Sequence, residues 1–258
     1  MAESSPVDDS SIASAAAPLL TFTGVSKRFP DGTTALDGVD ISVAPGEFVS
    51  VIGPSGCGKS TLLRIASDLT RASAGSVDVQ TRKIGYVFQD PTLLPWRTVQ
   101  GNVELFAELR HLPKAERRRR ADAAIALVGL SEFARHRPRA LSGGMRMRVS
   151  IARALVAEPD LALFDEPFGA LDEITRLQMQ TELQKLFVLK QFAGLFITHS
   201  VSEAVYLSTR VLVMSGRPGR VVADIAVPWD YPRDPTLRYD PEFATLTGRV
   251  SQALGEHS

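Results

Sequence analysis

One short stretch, residues 53–60, constrains this chain most, because its glycines and its Lys-Ser pair fit the spacing G-x-x-x-x-G-K-[ST]. The apolar run Phe48–Ile52 before it predicts a buried strand, and residues 60–67 after it predict the first turns of a helix. Glycine accepts positive φ, so several N–H groups of such a loop converge on one point. The helix dipole adds positive potential there. The sequence therefore predicts a loop that holds the phosphates of a nucleoside triphosphate.

The loop side chains have different expected tasks. Lys59 is expected to reach the β- and γ-phosphates, and the Ser60 hydroxyl to coordinate Mg²⁺. Cys57 leaves two interpretations open: either only a small side chain is needed there, or the loop N–H groups and Lys59 favour a reactive thiolate that bound nucleotide would protect from a maleimide. The predicted nucleotide contacts are Gly53, Pro54, Ser55, Gly56, Cys57, Gly58, Lys59, Ser60 and Thr61.

A second apolar run delivers two acidic residues, Asp165 and Glu166, at its carboxyl end. Ligands of open α/β sheets bind at that end of the strands. Adjacent carboxylates there suggest two tasks: Asp165 would hold Mg²⁺, and Glu166 would orient or deprotonate the water that attacks the γ-phosphate. An acidic pair after a strand is also typical of an ordinary helix N-terminus, but the phosphate loop earlier in the chain favours the catalytic interpretation.

Composition narrows the class of protein. Lys plus Arg and Asp plus Glu both number 29 among 258 residues, which gives no support for a protein that coats nucleic acid. The arginine run at residues 117–120 is better explained as the solvated face of a helix. No apolar stretch approaches the roughly 18 residues that a membrane span needs. The single cysteine excludes an internal disulfide and agrees with a reducing compartment.

The order of predicted elements indicates an α/β fold. We expect a phosphate-loop core with a mixed, mainly parallel sheet, an antiparallel β-subdomain at the N-terminal side, and an inserted helical lobe at about residues 99–157. Residues 1–18 are predicted to be a flexible tail without the features of a signal peptide. Residues 19–228 would form the ATPase domain, and residues 229–258 a C-terminal extension.

The chain resembles the ATP-binding subunits of ATP-binding cassette (ABC) transporters at a set of ordered motifs. Leu141, Ser142, Gly143 and Gly144 match their LSGGQ signature, with Met145 in place of the usual Gln. The remaining matches are Gln89 in Val-Phe-Gln-Asp, the Ala-Leu-Asp turn at residues 170–172, and the Thr-His pair at residues 198–199. Taken alone, the signature could be a Ser helix cap followed by glycines.

This resemblance implies an enzyme that hydrolyses ATP with Mg²⁺ in a head-to-tail homodimer. The phosphate loop of one subunit and Ser142, Gly143 and Gly144 of the other would enclose each ATP. Gln89 would contact the Mg²⁺ shell together with Ser60 and Asp165, and His199 would contact the γ-phosphate. Phe29 stands where the family stacks an aromatic residue, most often Tyr, on adenine; a core role for Phe29 stays open. Met145 leaves the amides of the signature intact but removes a polar side chain.

The segment Leu-Pro-Trp-Arg-Thr-Val at residues 94–99, with the Ser-Gly-Gly-Met-Arg-Met-Arg signature, resembles importers of nitrate, sulfonate or taurine, bicarbonate, and thiamine precursors. The resemblance implies integral-membrane permease subunits as partners, a solute-binding protein as an indirect partner, no nucleic acid, and a peripheral location on the cytoplasmic face of the inner membrane. Trp96 would line the groove that receives a permease helix, or else be a partly buried anchor.

The alternative function is an ABC ATPase acting in DNA repair or translation, for which tandem cassettes or long coiled-coil insertions would be expected. None of the residues identified here is expected to contact the transported solute, so the sequence does not indicate which solute it is. The sequence also leaves open whether the C-terminal extension is regulatory.

Overall fold

The computed structural model describes residues 17–257, so the predicted tail at residues 1–18 lies almost wholly outside the described residues. A larger sheet forms the centre of the molecule. Its strands are β3 (Phe48–Ile52), β5 (Ile84–Val87), β6 (Leu161–Asp165), β7 (Ala193–Ile197), β8 (Arg210–Met214) and β9 (Val221–Ala226). They lie in the order β5-β6-β7-β3-β8-β9, and all neighbouring pairs are parallel except β8 with β9.

A smaller antiparallel sheet covers one side of this core. It contains β1 (Leu20–Arg28) between β2 (Thr34–Val43) and β4 (Ala74–Val79). Its buried side chains join those of β3 and of α1 (Lys59–Ala66) in one apolar cluster. The α/β fold with a mixed sheet and an antiparallel β-subdomain, which the sequence predicts, is thereby confirmed.

Helices form a lobe between β5 and β6. They are α2 (Val99–Val103), α3 (Leu105–Leu109), α4 (Lys114–Leu127) and α5 (Gly143–Leu155). Thr98 begins α2 by accepting a hydrogen bond from the backbone N–H of Gly101. The buried Asn102 fixes the preceding loop, because its side chain bonds both the N–H and the carbonyl of Leu94. The loop before α2 is therefore rigidly held on the lobe.

Two arginines of the run on α4, Arg119 and Arg120, form ion pairs within the chain. Glu116 accepts hydrogen bonds from Arg119 at 2.7 Å and Arg120 at 2.6 Å, and these bonds lower the pKa of Glu116 to about 2. Arg120 also pairs with Glu158 at 2.7 Å. The run is thus a solvated helix face with internal ion pairs, as the sequence favours.

The remaining helices complete the core. They are α6 (Glu173–Lys190), α7 (Val201–Leu207) and α8 (Pro241–Gly255). In α8, Phe243, Leu246 and Val250 are buried in the main core, and Trp229 packs on Phe243 with ring centroids 5.8 Å apart. Residues beyond 228 therefore pack on the core around the larger sheet. In residues 17–257, no helix is both long enough and apolar enough to cross a bilayer.

Candidate nucleotide site

The phosphate loop follows the last residue of β3 and ends where α1 begins. Gly56 and Gly58 have φ values of 76° and 105°, which side chains of L-residues rarely adopt. A Cβ at Gly58 would lie 2.7 Å from the carbonyl oxygen of Ala35 and from Leu36 Cδ2. This glycine is required because the loop passes directly against β2.

Lys59 lies beneath this loop as a buried cation. Only 5% of the residue is exposed, and its Nζ donates to the carbonyl oxygens of Gly53 at 2.8 Å and Pro54 at 2.9 Å. Among residues 17–257, Lys59 makes no ion pair with a carboxylate within 4.0 Å. Its third hydrogen-bond contact is with Cys57 Sγ at 3.9 Å, so the partners of this buried ammonium group within residues 17–257 are all neutral. A phosphate oxygen would supply the negative charge that these partners lack.

An open pocket of about 330 Å³ lies in front of Lys59. It brings together predicted residues from separate parts of the chain, namely Phe29, Ser55, Gly56, Gly58, Lys59, Ser60, Thr61, Gln89, Glu166 and His199. The side chain of Phe29 is half-buried and lines this pocket, so its alternative role as a core residue is wrong. Gly53 and Pro54 do not line the pocket; their carbonyls hold Lys59 instead.

Ser60 and Asp165 form the candidate magnesium site. Ser60 Oγ donates to Asp165 Oδ1 at 2.9 Å, and the carboxylate is buried at the end of β6. Burial raises the pKa of Asp165, while the Ser60 hydrogen bond acts in the opposite direction. A hydroxyl and a carboxylate are hard oxygen ligands of the kind that Mg²⁺ prefers, so these residues fit the cation.

Glu166 is the residue on which the predicted catalytic groups converge. Its backbone has φ 49°, and its N–H donates to the carbonyl oxygen of Ile197 on the neighbouring strand at 3.0 Å. One carboxylate oxygen accepts from Gln89 Nε2 at 3.3 Å, and the other lies 2.5 Å from His199 Nε2. Three side chains from the ends of β5, β6 and β7 thus meet at one edge of the pocket.

Arg217 is a pocket residue that the sequence analysis missed. It lies in the turn between β8 and β9, and its Nε and Nη2 donate to the carbonyl oxygen of Gly56 at 3.1 and 2.9 Å. It adds a second positive side chain beside the phosphate loop. Its position depends on how the β8–β9 hairpin packs on the loop, and no local motif marks it.

The signature residues lie outside this pocket. Ser142 is exposed and begins α5, where its Oγ accepts from the backbone N–H of Met145 at 3.2 Å. Gly143 lines a separate cleft together with Gln89 and Ala170. A Cβ at Gly144 would come 2.9 Å from Leu171 Cδ2, so α5 approaches that turn closely. The predicted signature is therefore a free helix N-terminus, available to a ligand held by another molecule.

The prediction of an accessible, reactive thiol at Cys57 is wrong. The residue is 1% exposed, because its side chain turns away from the pocket into the apolar cluster shared with Met214. A Cβ at Gly53 would lie 2.9 Å from its Sγ, and one at Gly219 only 2.0 Å from its carbonyl oxygen. The interpretation that only a small side chain fits at this position agrees with this packing.

We therefore expect the folded protein to resist maleimide labelling equally with and without Mg-ATP, because the thiol becomes accessible only on unfolding. Mass spectrometry after timed exposure measures this, with the urea-unfolded protein as the control for reactivity. Rapid labelling of folded protein, slowed by Mg-ATP, would contradict the buried position of the thiol.

A mainly parallel sheet with a phosphate loop at its carboxyl edge, facing paired acidic residues, defines a phosphate-loop nucleotide hydrolase. Its helical lobe presents a second helix N-terminus, that of α5. The sequence profile of the ABC transporter family matches residues 36–169. The chain belongs to the ABC transporter family and hydrolyses ATP.

Known proteins agree with this assignment. An ATP-binding protein of Brucella abortus, BAB2_1147, is 44% identical over 244 residues, covering 92% of this chain and 94% of that protein. The aliphatic sulfonates import ATP-binding protein SsuB 1 of Pseudomonas savastanoi pv. phaseolicola is 45% identical over 232 residues, with coverage of 90% and 93%. The dimeric, post-hydrolysis structure of the ATP-binding cassette MJ0796 bound to ADP and Pi superposes with a TM-score of 0.75 at 32% identity, covering 82% and 100%.

Proposed function

We propose that this chain is the ATPase subunit of an importer for a small solute of the sulfonate, taurine, nitrate, bicarbonate or thiamine-precursor class, with sulfonates first among them. The assignment of the solute class is supported by the 45% identity, over 90% of the chain, to a protein named for aliphatic sulfonate import. Residues 19–228 serve as the ATPase domain, with the lobe at 99–157. The subunit works at the cytoplasmic face of the inner membrane, bound to permease subunits that receive solute from a binding protein.

The pocket residues divide the work of hydrolysis. Phe29 stacks on adenine, and the loop N–H groups and Lys59 hold the phosphates. Glu166 accepts a proton from the attacking water, while Gln89 and His199 orient the water and the γ-phosphate. Ser60, Gln89 and Asp165 would hold Mg²⁺, which when bound neutralises charge on the phosphates.

The active form is a head-to-tail dimer. Support comes from the exposed N-terminus of α5, which presents Ser142, Gly143 and the N–H groups of the first turn away from the pocket of its own subunit. Two copies arranged head to tail would place each signature on the partner's nucleotide. Closure of this dimer on ATP moves the helical lobes, and the permease subunits move with them.

The permease contact is proposed at Trp96. The side chain is 68% exposed, which supports a contact surface over the alternative of a partly buried anchor. Its neighbour Arg97 is fixed by Glu108 at 2.7 Å and by the carbonyl of Gly101 at 3.2 Å, which holds the segment rigid. An exposed Trp on a rigid loop is typical of an interface hot spot.

Trp96→Ala is therefore expected to weaken assembly with the permease by about tenfold or more while ATP affinity stays within about threefold. Pull-down with co-expressed subunits of the candidate permease measures assembly, and ATP titration measures the affinity. Leu189→Ala, at an equally exposed apolar residue on α6, is the matched control. Normal assembly of the Trp96 variant would contradict the proposed contact.

A growth experiment tests the solute class. Cells that lack this chain should fail to grow on an alkanesulfonate as the only sulfur source and should grow normally on sulfate. The wild-type chain should restore growth, whereas Lys59→Ala should not. Parallel cultures on taurine, nitrate or a thiamine precursor identify the other members of the class, and undiminished growth on every sulfonate would refute the sulfonate assignment.

A further inference from the structure

A row of polar side chains connects the C-terminal extension with the turn that carries His199. Arg238 Nη2 donates to Gln180 Oε1 at 2.6 Å, and Gln180 Nε2 donates to Glu203 Oε1 at 2.9 Å. The other Glu203 oxygen accepts from the hydroxyl of Thr198, the residue directly before His199. We refer to Arg238, Gln180, Glu203 and Thr198 as the polar chain.

The inner members of the polar chain are deeply buried. Gln180, Glu203 and Thr198 are 3%, 5% and 3% exposed. Burial raises the pKa of Glu203, and its hydrogen bonds from Thr198 and Gln180 oppose that rise. The Gln180 amide has only one useful orientation, since its NH₂ must face the carboxylate and its carbonyl the guanidinium. Arg238 is therefore linked to Glu203 through an amide of fixed orientation.

Glu203 holds the backbone on both sides of His199. Thr198 Oγ1 donates to Glu203 and accepts from the N–H of Ser200 at 3.0 Å. Ser200 Oγ in turn accepts from the N–H of Glu203 at 3.3 Å and begins α7. His199 is thus the residue between two anchored neighbours, and its Nε2 lies 2.5 Å from Glu166 Oε1.

Attachment of the extension does not depend on Arg238. The buried Arg233 donates to the carbonyls of Val205 at 3.0 Å and Tyr206 at 2.9 Å, and α8 buries its apolar face in the core. Arg238 instead places its guanidinium 3.3 Å from the centre of the Tyr206 ring, where Nη2 donates inward to Gln180 and Nη1 donates to the carbonyl oxygen of Pro235 at 3.4 Å. Withdrawing a charge partly from water, as in this half-buried residue, is costly unless the charge satisfies a specific partner.

We propose that Arg238 is a positioning residue for ATP hydrolysis. Through the other members of the polar chain, it holds His199 in position beside Glu166. The inference deepens the proposed function and rests on the γ-phosphate role of His199 given there. The C-terminal extension then controls the rate of hydrolysis and leaves nucleotide binding unchanged, because no member of the polar chain lines the nucleotide pocket.

Arg238→Met keeps the length and apolar stem of the side chain and removes the donors. We expect kcat for ATP hydrolysis to fall roughly tenfold, since small displacements of a reacting group cost large factors in rate, with KM for ATP within about twofold. Gln180→Leu should give a similar loss, and the double variant little more than either alone. Arg238→Lys, which keeps the charge and a donor, should recover part of the rate.

Leu246→Ala is the matched control, because it removes a buried apolar side chain from α8 in the same extension and removes no hydrogen bond of the polar chain. It should lower Tm and leave kcat unchanged below that temperature. The imidazole NMR signal of His199, assigned with His199→Gln, should shift in Arg238→Met and keep its position in Leu246→Ala.

Two results would overturn the inference. One is a loss of kcat that is proportional to the loss of Tm in both Arg238→Met and Leu246→Ala. The other is an unshifted His199 signal in Arg238→Met. His199→Ala separates this inference from the proposed function. If that variant is inactive while Arg238→Met turns over normally, only the positioning role fails. If His199→Ala hydrolyses ATP normally, the proposed role of His199 fails and the inference with it.

Discussion

Replacing Glu166 by Gln is expected to give a protein that binds ATP normally and hydrolyses it at least about a hundredfold more slowly. The amide keeps the size and shape of the carboxylate, and its one oxygen can still accept one of the two hydrogen bonds, so the pocket retains its shape. It cannot accept a proton from water, however, and the step that Glu166 performs is lost. Bound ATP that is not consumed should also keep the dimer closed. Single-turnover hydrolysis and light scattering in the presence of Mg-ATP measure these two effects.

Two variants make this experiment specific. Glu173→Gln changes the same functional group at an exposed site in the first turn of α6 and should hydrolyse ATP at the normal rate. Asp165→Asn should instead weaken the dependence of ATP binding on Mg²⁺, because Asp165 is the partner of Ser60. Near-normal turnover by Glu166→Gln would remove Glu166 from the role of base.

Mixing two inactive variants should restore activity if the signature acts on the partner's ATP. Lys59→Ala destroys the phosphate loop, and Ser142→Arg blocks the signature with a large cation. In a mixed dimer, both defects fall on one composite site and the other site is intact. Random pairing at equal amounts makes half of the dimers mixed, so independent sites would give about a quarter of the wild-type rate.

Ser142 is exposed, so its replacement by Arg should leave the fold intact and cost only a helix cap, about 1 kcal/mol. Ser142→Thr keeps the cap and should remain active. The number of ATP molecules bound per mixed dimer, expected to be one, provides a measurement that does not depend on turnover. Absence of both bound ATP and activity in the mixture would show that each site lies within a single subunit.

Local spacing was sufficient to predict most of this pocket. The strand, loop and helix around Lys59 follow one another in the chain, and Asp165 and Glu166 directly follow the apolar strand that delivers them. Parallel strands bring their carboxyl ends to one edge, so the meeting of Glu166 with His199 follows from the order of the elements. The structure places these side chains in contact.

Features that depend on distant packing were not predictable in the same way. The burial of Cys57 is set by Met214 and Gly219, which lie far away in sequence and reach the loop through the β8–β9 hairpin. The strand β8 was not predicted, because this short apolar run follows α7 so closely that the pattern of apolar residues does not separate the two elements. Arg217 belongs to that same hairpin, and its contact with Gly56 therefore had no local signal.

The two tryptophans lie where their intrinsic fluorescence can report on events at the surface of the subunit. Trp96 projects from the lobe, and Trp229 packs on Phe243 in the C-terminal extension, whereas the aromatic cluster around Phe48 in the central sheet consists of phenylalanines. Tryptophan fluorescence therefore arises from the periphery, because the phenylalanines at the centre of the ATPase are not excited at the wavelengths that excite indole. With Trp229 replaced by Phe, the remaining tryptophan fluorescence would come from Trp96, on the surface proposed to face the permease. Docking of the permease would then change the fluorescence of the protein without an attached dye.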